Sequence, residues 1–174
     1  MPGLYAWFVC LVGMPKFSSL IHTANDAKTL GRTLETLRAS DELVIVDHDS
    51  TDDTVKIARQ YGATIVKAVV GVEPGAYATD AHHDWILCLL PTETLSEQAE
   101  AALLEWKQRK NDDPDLQRKA SFSFAIRQQS GEGWCESTPE SRLIDRSRVN
   151  WTTTLPPTTP DAQPLDGHVL RFED

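Results

Sequence analysis

The segment that most restricts what this chain can fold into spans residues 41–54. Leu43-Val44-Ile45-Val46 is an uninterrupted, largely β-branched run, the pattern of a strand covered on both faces. It passes at once into Asp47-His48-Asp49-Ser50-Thr51-Asp52-Asp53-Thr54, a polar turn. Ser50 with Asp53 three residues later resembles a capping box in which Asp replaces the usual Glu or Gln. Val55, Ala58 and Tyr61 then mark one helix face, and Gly62 ends it. A strand buried on both sides needs other strands beside it and helices over it, so the rest of the chain must supply them.

It does so by repetition. Residues 17–23 read as a first strand, followed by Asn25 or Asp26 as an N-cap and by Ala27, Leu30, Leu34 and Leu37 at helical spacing. Residues 63–70 read as a third strand, broken by Gly71-Val72-Glu73-Pro74-Gly75, and residues 85–90 as a fourth. Thr94-Leu95-Ser96-Glu97 forms a capping box, and Ala99, Ala102, Leu103 and Trp106 the buried stripe of a helix that runs into the charged stretch 107–113. Alternating strands and helices predict an α/β fold with an open, mostly parallel sheet and helices on both faces. Ligands of such sheets bind at the carboxyl ends of the strands, which here are His22-Thr23-Ala24-Asn25, Asp47-His48-Asp49 and Leu90-Pro91-Thr92-Glu93.

Beyond residue 114 the pattern weakens. Residues 120–126 alternate Phe122, Phe124 and Ile126 with other side chains as a half-buried strand does, 142–146 suggests another, 152–164 is a Thr- and Pro-rich loop, and 168–172 is placed to close the sheet. The 174 residues fit one domain over 14–174, with 1–13 as an N-terminal extension or extra strand ahead of a second methionine, Met14. The apolar stretch 4–12 is about half of the ~20 residues a spanning helix needs, and no Lys or Arg precedes it, so neither an integral membrane segment nor a signal peptide is expected. A net charge of −9 argues against nucleic acid and anionic membranes as partners. Cys10, Cys88 and Cys135 form no metal or disulfide pattern and fit a reducing, cytoplasmic setting, where the Asn150-Trp151-Thr152 sequon is a chance match.

Two segments carry a resemblance to a known family. Leu20-Ile21-His22-Thr23-Ala24-Asn25-Asp26 is similar to an opening strand that ends in Thr-x-Asn-Glu. Residues 41–54 are similar to Asp-Glu-Ile-Val-Val-Val-Asp-Ser-Gly-Ser-Thr-Asp-Gly-Thr. Both belong to family 2 glycosyltransferases of the GT-A fold, in the branch that includes lipopolysaccharide-core transferases. Residues 57–63, Asp84-Trp85-Ile86-Leu87-Cys88-Leu89, and Arg142-Leu143-Ile144-Asp145-Arg146 followed by Trp151 extend the resemblance more thinly. It implies a nucleoside-diphosphate sugar as ligand, with Thr23, Asn25 and Asp47 contacting the nucleotide.

The resemblance fails at two places that matter chemically. Where active relatives carry Asp-Ala-Asp-Glu, with two aspartates for the ribose and a divalent cation, this chain reads Leu90-Pro91-Thr92-Glu93. Glu93 is then the one carboxylate able to hold Mg²⁺ or Mn²⁺, and weakly. Asp84 lies about 20 Å away, at the other end of the strand, and His82 and His83 share that far side. The His-Glu pair implied as general base is replaced by 155–161, where Asp161 is the nearby carboxylate. These losses imply a degenerate nucleotide-sugar-binding domain or pseudoenzyme, acting beside an active transferase. The alternatives are a metal-independent transferase that neutralises the diphosphate with Arg127, Arg142 or Arg146, and a non-catalytic scaffold.

Overall fold

The computed structural model describes residues 13–173. The expected extension or extra strand over 1–13 therefore lies, apart from Gly13, outside the described residues. The elements run β1 (Phe17–Thr23), α1 (Leu30–Glu35), β2 (Glu42–Asp47), α2 (Thr54–Gln60), β3 (Thr64–Lys67), a 3-10 helix (Pro74–Asp80), β4 (Trp85–Leu89), β5 (Glu93–Leu95), α3 (Glu97–Arg109), α4 (Pro114–Arg118), β6 (Ser121–Ser130), β7 (Gly133–Asp145) and β8 (Gln163–Arg171). They build one mixed sheet in the order β3-β2-β1-β4-β7-β6-β8-β5.

The β1–β2, β1–β4, β2–β3 and β6–β8 pairings are parallel, so the sheet is mostly parallel as expected, with antiparallel pairing at β4–β7, β6–β7 and β5–β8. β1 lies inside the sheet and is buried along its whole length, which explains its uninterrupted apolar and small side chains. One face packs Phe17, Ile21, Ile45, Leu87 and Phe122 under α1, α2 and α3, with Trp106 of α3 set edge-on against Phe17, Trp85 and Phe122. The other face packs Leu20, Val44, Val46, Ile86 and Ile144 under Tyr77 and Ala78 of the 3-10 helix, Ala81 just after it, and Trp151 of the loop between β7 and β8. No helix among the described residues is long and apolar enough to cross a membrane.

Some local expectations are corrected. The first helix is short, with Thr29 rather than Asn25 or Asp26 at its N-cap. Asn25 instead adopts φ 62°, and the Asp26 carboxylate accepts from Ala24 N at 2.7 Å. Ser50 does not cap α2. The N-cap position is Asp53, whose side chain makes no capping bond; Asp52 just before it accepts from Thr54 N at 2.9 Å, and Ser50 Oγ turns across to accept from Asn25 N. The α3 cap is Ser96, accepting from Ala99 N at 3.2 Å, because Thr94 is drawn into the short strand β5.

The 142–146 segment is the inner end of a thirteen-residue strand, β7, that forms a long hairpin with β6. Pro139 is tolerated there because the register shifts between Phe124 and Ile126, a bulge where no ladder N–H is needed. Gly75 has a separate geometric reason: a Cβ at that position would lie 2.0 Å from the Trp151 carbonyl oxygen. Glycine lets the 3-10 helix sit directly on the loop that seals the second face.

Candidate nucleotide site

Parallel pairing of β1 with β2 brings Thr23 beside Asp47 at their carboxyl ends, and the backbone continues the ladder with His48 N donating to the Thr23 carbonyl at 2.8 Å. Two consecutive turns are cross-braced above this edge. Thr51 N donates to Asn25 Oδ1 at 2.8 Å, Asn25 N to Ser50 Oγ at 2.9 Å, and Ala27 N to Asp52 Oδ2 at 3.2 Å. Asn25 at φ 62° and Asp49 at φ 56° both occupy the left-handed region, which Asn and Asp tolerate better than most residues. The bracing is what holds them there. Of the three residues expected at the nucleotide, Thr23 and Asp47 are thus neighbours on the sheet edge. Asn25 sits in the turn above, its side chain committed to Thr51.

Asp47 is only 8 % exposed. Its Oδ2 accepts from Ser50 N at 3.2 Å, whereas its buried Oδ1 has no hydrogen-bond partner, and neither does the buried Thr23 Oγ1. Buried polar atoms are normally satisfied, so an unpartnered acceptor and an unpartnered hydroxyl on adjacent strand ends make this edge the place to seek a hydrogen-bonding ligand. His22 and His48 border the same edge, Nδ1 to Nε2 at 2.9 Å, and Tyr77 meets the His22 ring edge-on at 5.7 Å. Burial, followed by the neighbouring His48, pushes the His22 pKa down to about 4 against a weaker opposing effect of the Pro74 carbonyl, which keeps the ring neutral near pH 7. Exposed Val69 and Val70 lie just past Ala68, whose N–H bonds the Asp47 carbonyl.

Glu93 does not face this edge. It is fully buried, with Oε1 bonded to Arg142 at 2.9 Å and Arg171 at 2.8 Å, and Oε2 accepting from Leu90 N at 2.9 Å. Both guanidinium groups also reach Glu140. The metal-ligand expectation for Glu93 gives way to an internal ion network, because each oxygen already has a strong donor. No group of three or more His, Cys, Asp or Glu among the described residues could hold a metal ion, so the donor set does not fit the cation of the resembling family.

The basic and acidic alternatives are likewise spoken for. Arg142 is locked inside the protein, and Arg146 bonds the carbonyls of Ala78 and Ala81. Arg127 pairs with Glu136 at 3.6 Å on the outer hairpin. Asp161 immediately precedes β8, where its carbonyl accepts from Lys119. Because β8 and β6 run parallel and both start at that end, Asp161 lies at the amino edge of the sheet, opposite Asp47. Asp84 and His82 also belong to that far edge, around a cleft with Lys16 and Asp145.

Comparison with known proteins reads the same architecture. Residues 18–73 match the family model described as Glycosyl transferase family 2, the stretch that carries Thr23, Asn25 and Asp47. That stretch is about a third of the chain, and it is similar to glycosyltransferase family 2. An uncharacterized glycosyltransferase of Rickettsia felis is 40% identical over 89 residues, covering 49% of this chain and 31% of that protein. An uncharacterized glycosyltransferase of Rickettsia prowazekii is 29% identical over 154 residues, covering 86% of this chain and 53% of that protein. The chain thus spans only about a third to a half of the length of these curated relatives. A crystal structure of S. aureus TarS 1-349 in complex with UDP-GlcNAc superposes with TM-score 0.58 at 14% identity, covering 91% of this chain and 59% of that one, a likeness of GT-A fold.

Proposed function

We propose that this chain is a nucleotide-sugar-binding domain of glycosyltransferase family 2 type, related to transferases of cell-envelope polysaccharide synthesis, that has lost catalysis and acts alongside a catalytic transferase. The observation that carries the reading is the contrast between two places on one sheet. The edge expected at the nucleotide keeps two buried atoms without a hydrogen-bond partner, Asp47 Oδ1 and Thr23 Oγ1. At the cation position the remaining carboxylate, Glu93, is consumed by two arginines.

In this reading Asp47 accepts a hydrogen bond from the base or ribose of a nucleoside diphosphate sugar, and Thr23 supplies a second polar contact. Val69 and Val70 offer apolar surface beside them. Asn25 is a positioning residue: through Thr51 it fixes the turn that holds Ser50 N on Asp47 Oδ2. Among the described residues there is neither a cluster for a cation at the diphosphate nor a carboxylate on this edge, outside the turns, placed to deprotonate an acceptor.

The test is incubation of the full chain with UDP-glucose, UDP-galactose and UDP-GlcNAc, with and without Mn²⁺, followed by quantification of released UDP. No release above the protein-free rate is expected, with or without the metal. Metal-dependent release abolished by Asp47→Asn would establish an enzyme and refute the loss of catalysis.

A further inference from the structure

The β6–β7 hairpin reaches past the sheet that supports it. β4 pairs with β7 only from Trp85↔Asp145 to Leu87↔Leu143, whereas β6 and β7 stay paired out to Ser130↔Gly133. β4 and β6 are both antiparallel to β7 and therefore run the same way, so the hairpin tip projects beyond the carboxyl edge, on the side of Thr23 and Asp47. Gly131 at φ 58° supplies the positive angle that the first position of a two-residue type II′ turn requires. β8 runs beside β6 as far as Gln128↔Arg171, so the free tip of the hairpin is the part beyond that pairing, residues 129–134.

Near the tip stands Trp134, 41% exposed. Its ring meets Phe172 at 5.2 Å and 82°, and Phe172 is clamped by the Arg32 guanidinium 3.6 Å from its centroid. Phe172 N also donates to the Thr92 carbonyl at 3.1 Å, which ties the aromatic pair to the 90–93 loop. Trp134 is therefore held at a set angle while keeping part of its indole surface open to water. Gln129 lies directly opposite it in the strand register, and two positions further in, Arg127 and Glu136 face each other at 3.6 Å.

A fixed aromatic surface beside an amide, a carboxylate and a guanidinium matches one ligand chemistry well. The C–H face of a pyranose ring packs on indole while its equatorial hydroxyls reach planar polar groups at the rim. A lipid tail would meet two charges here, and an anionic glycan would approach against a net charge of −9. We propose that Trp134, with Gln129 and the Arg127–Glu136 pair, is a binding platform for a neutral hexose residue of the acceptor glycan. The assignment of that sugar as an acceptor rests on the nucleotide-sugar reading above; the platform's binding of sugar does not.

The probes are the methyl glycosides of glucose, galactose, mannose and N-acetylglucosamine, titrated into the ¹⁵N-labelled full chain. The indole N–H resonance of Trp134, assigned by its loss in Trp134→Phe, is expected to shift saturably with at least one of them at millimolar Kd. Trp134→Ala should weaken that sugar about tenfold or more, read from the sugar's own resonances, while the dispersion of the backbone spectrum reports that the variant is folded. A Trp134 resonance unmoved by all four sugars at about 100 mM, or a folded Trp134→Ala that binds as well as the parent, overturns the platform. Asp47→Asn separates the two readings: it should leave the sugar response intact. Sugar binding by a chain that fails to bind UDP would refute the nucleotide site and keep the platform.

Discussion

His22 and His48 share a hydrogen bond of 2.9 Å between ring nitrogens, one ring buried and the other exposed, at the end of adjacent parallel strands. The buried ring is neutral at pH 7 because its pKa is pushed down to about 4 from an ordinary 6.5. An unfolded chain therefore binds more protons than the folded one below pH 6.5, and stability falls with pH from about 6.5 until it levels off near 4. Allowing for partial solvent access, His22 contributes on the order of 2 kcal/mol to that loss. Urea denaturation at pH 7.5 and pH 4.5 should show a smaller acid-induced loss in His22→Leu than in the parent. Equal losses would remove His22 as the origin.

Glu93 and Glu140 together balance the guanidinium charges of Arg142 and Arg171, and Arg142 is fully buried with Glu93. Glu93→Gln leaves that charge short of a partner, which typically costs about 3–5 kcal/mol. Pairing it with Arg142→Met should recover much of the loss, since neither charge then remains stranded. Denaturant midpoints of the two variants check this. A stable Glu93→Gln protein that had instead lost affinity for Mn²⁺ would restore the metal-ligand role.

Asn25 serves the nucleotide edge through backbone geometry. Asn25→Ala strains a residue at φ 62° and removes the acceptor for Thr51 N, with an expected cost of about 1–2 kcal/mol. Asn25→Gly keeps the conformation and loses only the side-chain bonds, so it should fall between the parent and the alanine variant by chemical denaturation. A reversed order would show that the bonds to Thr51 outweigh the backbone angle.

Gly75→Ala tests the contact that seals the second face. The added Cβ would overlap the Trp151 carbonyl, so the 3-10 helix must shift, at a cost of about 2–3 kcal/mol. Thermal unfolding should register a drop of several degrees; an unchanged midpoint would mean that the loop bearing Trp151 moves freely out of the way.

The parallel half of the fold was legible because its strands are covered on both faces and its helices follow at regular intervals. Thr23 and Asp47 could be paired in advance, since both close strands that precede a turn. The turn chemistry was less accessible: the Ser50–Asp53 spacing reads as a capping box, but Ser50 Oγ is taken by Asn25 N from another loop, and Asp53 holds the N-cap position without a side-chain bond. The ion network of Glu93 is hidden from the sequence because its partners Arg142 and Arg171 are distant in the chain and meet it only through strands β7 and β8. The outer half of β7 carries no hydrophobic period because it is exposed, and its Pro139 sits at the bulge opposite Ala125.

The central claim is that the carboxyl edge of β1 and β2 binds a nucleotide through the unpartnered oxygen of Asp47. Calorimetric titration with UDP in the absence of metal measures it directly, comparing the parent with Asp47→Asn, which keeps an oxygen for Ser50 N but puts a donor where the unpartnered acceptor was. Saturable binding by the parent, weakened about tenfold or more in the variant, or roughly 1.4 kcal/mol and above, is the predicted result. No binding by the parent, or equal binding by both proteins, would contradict the account.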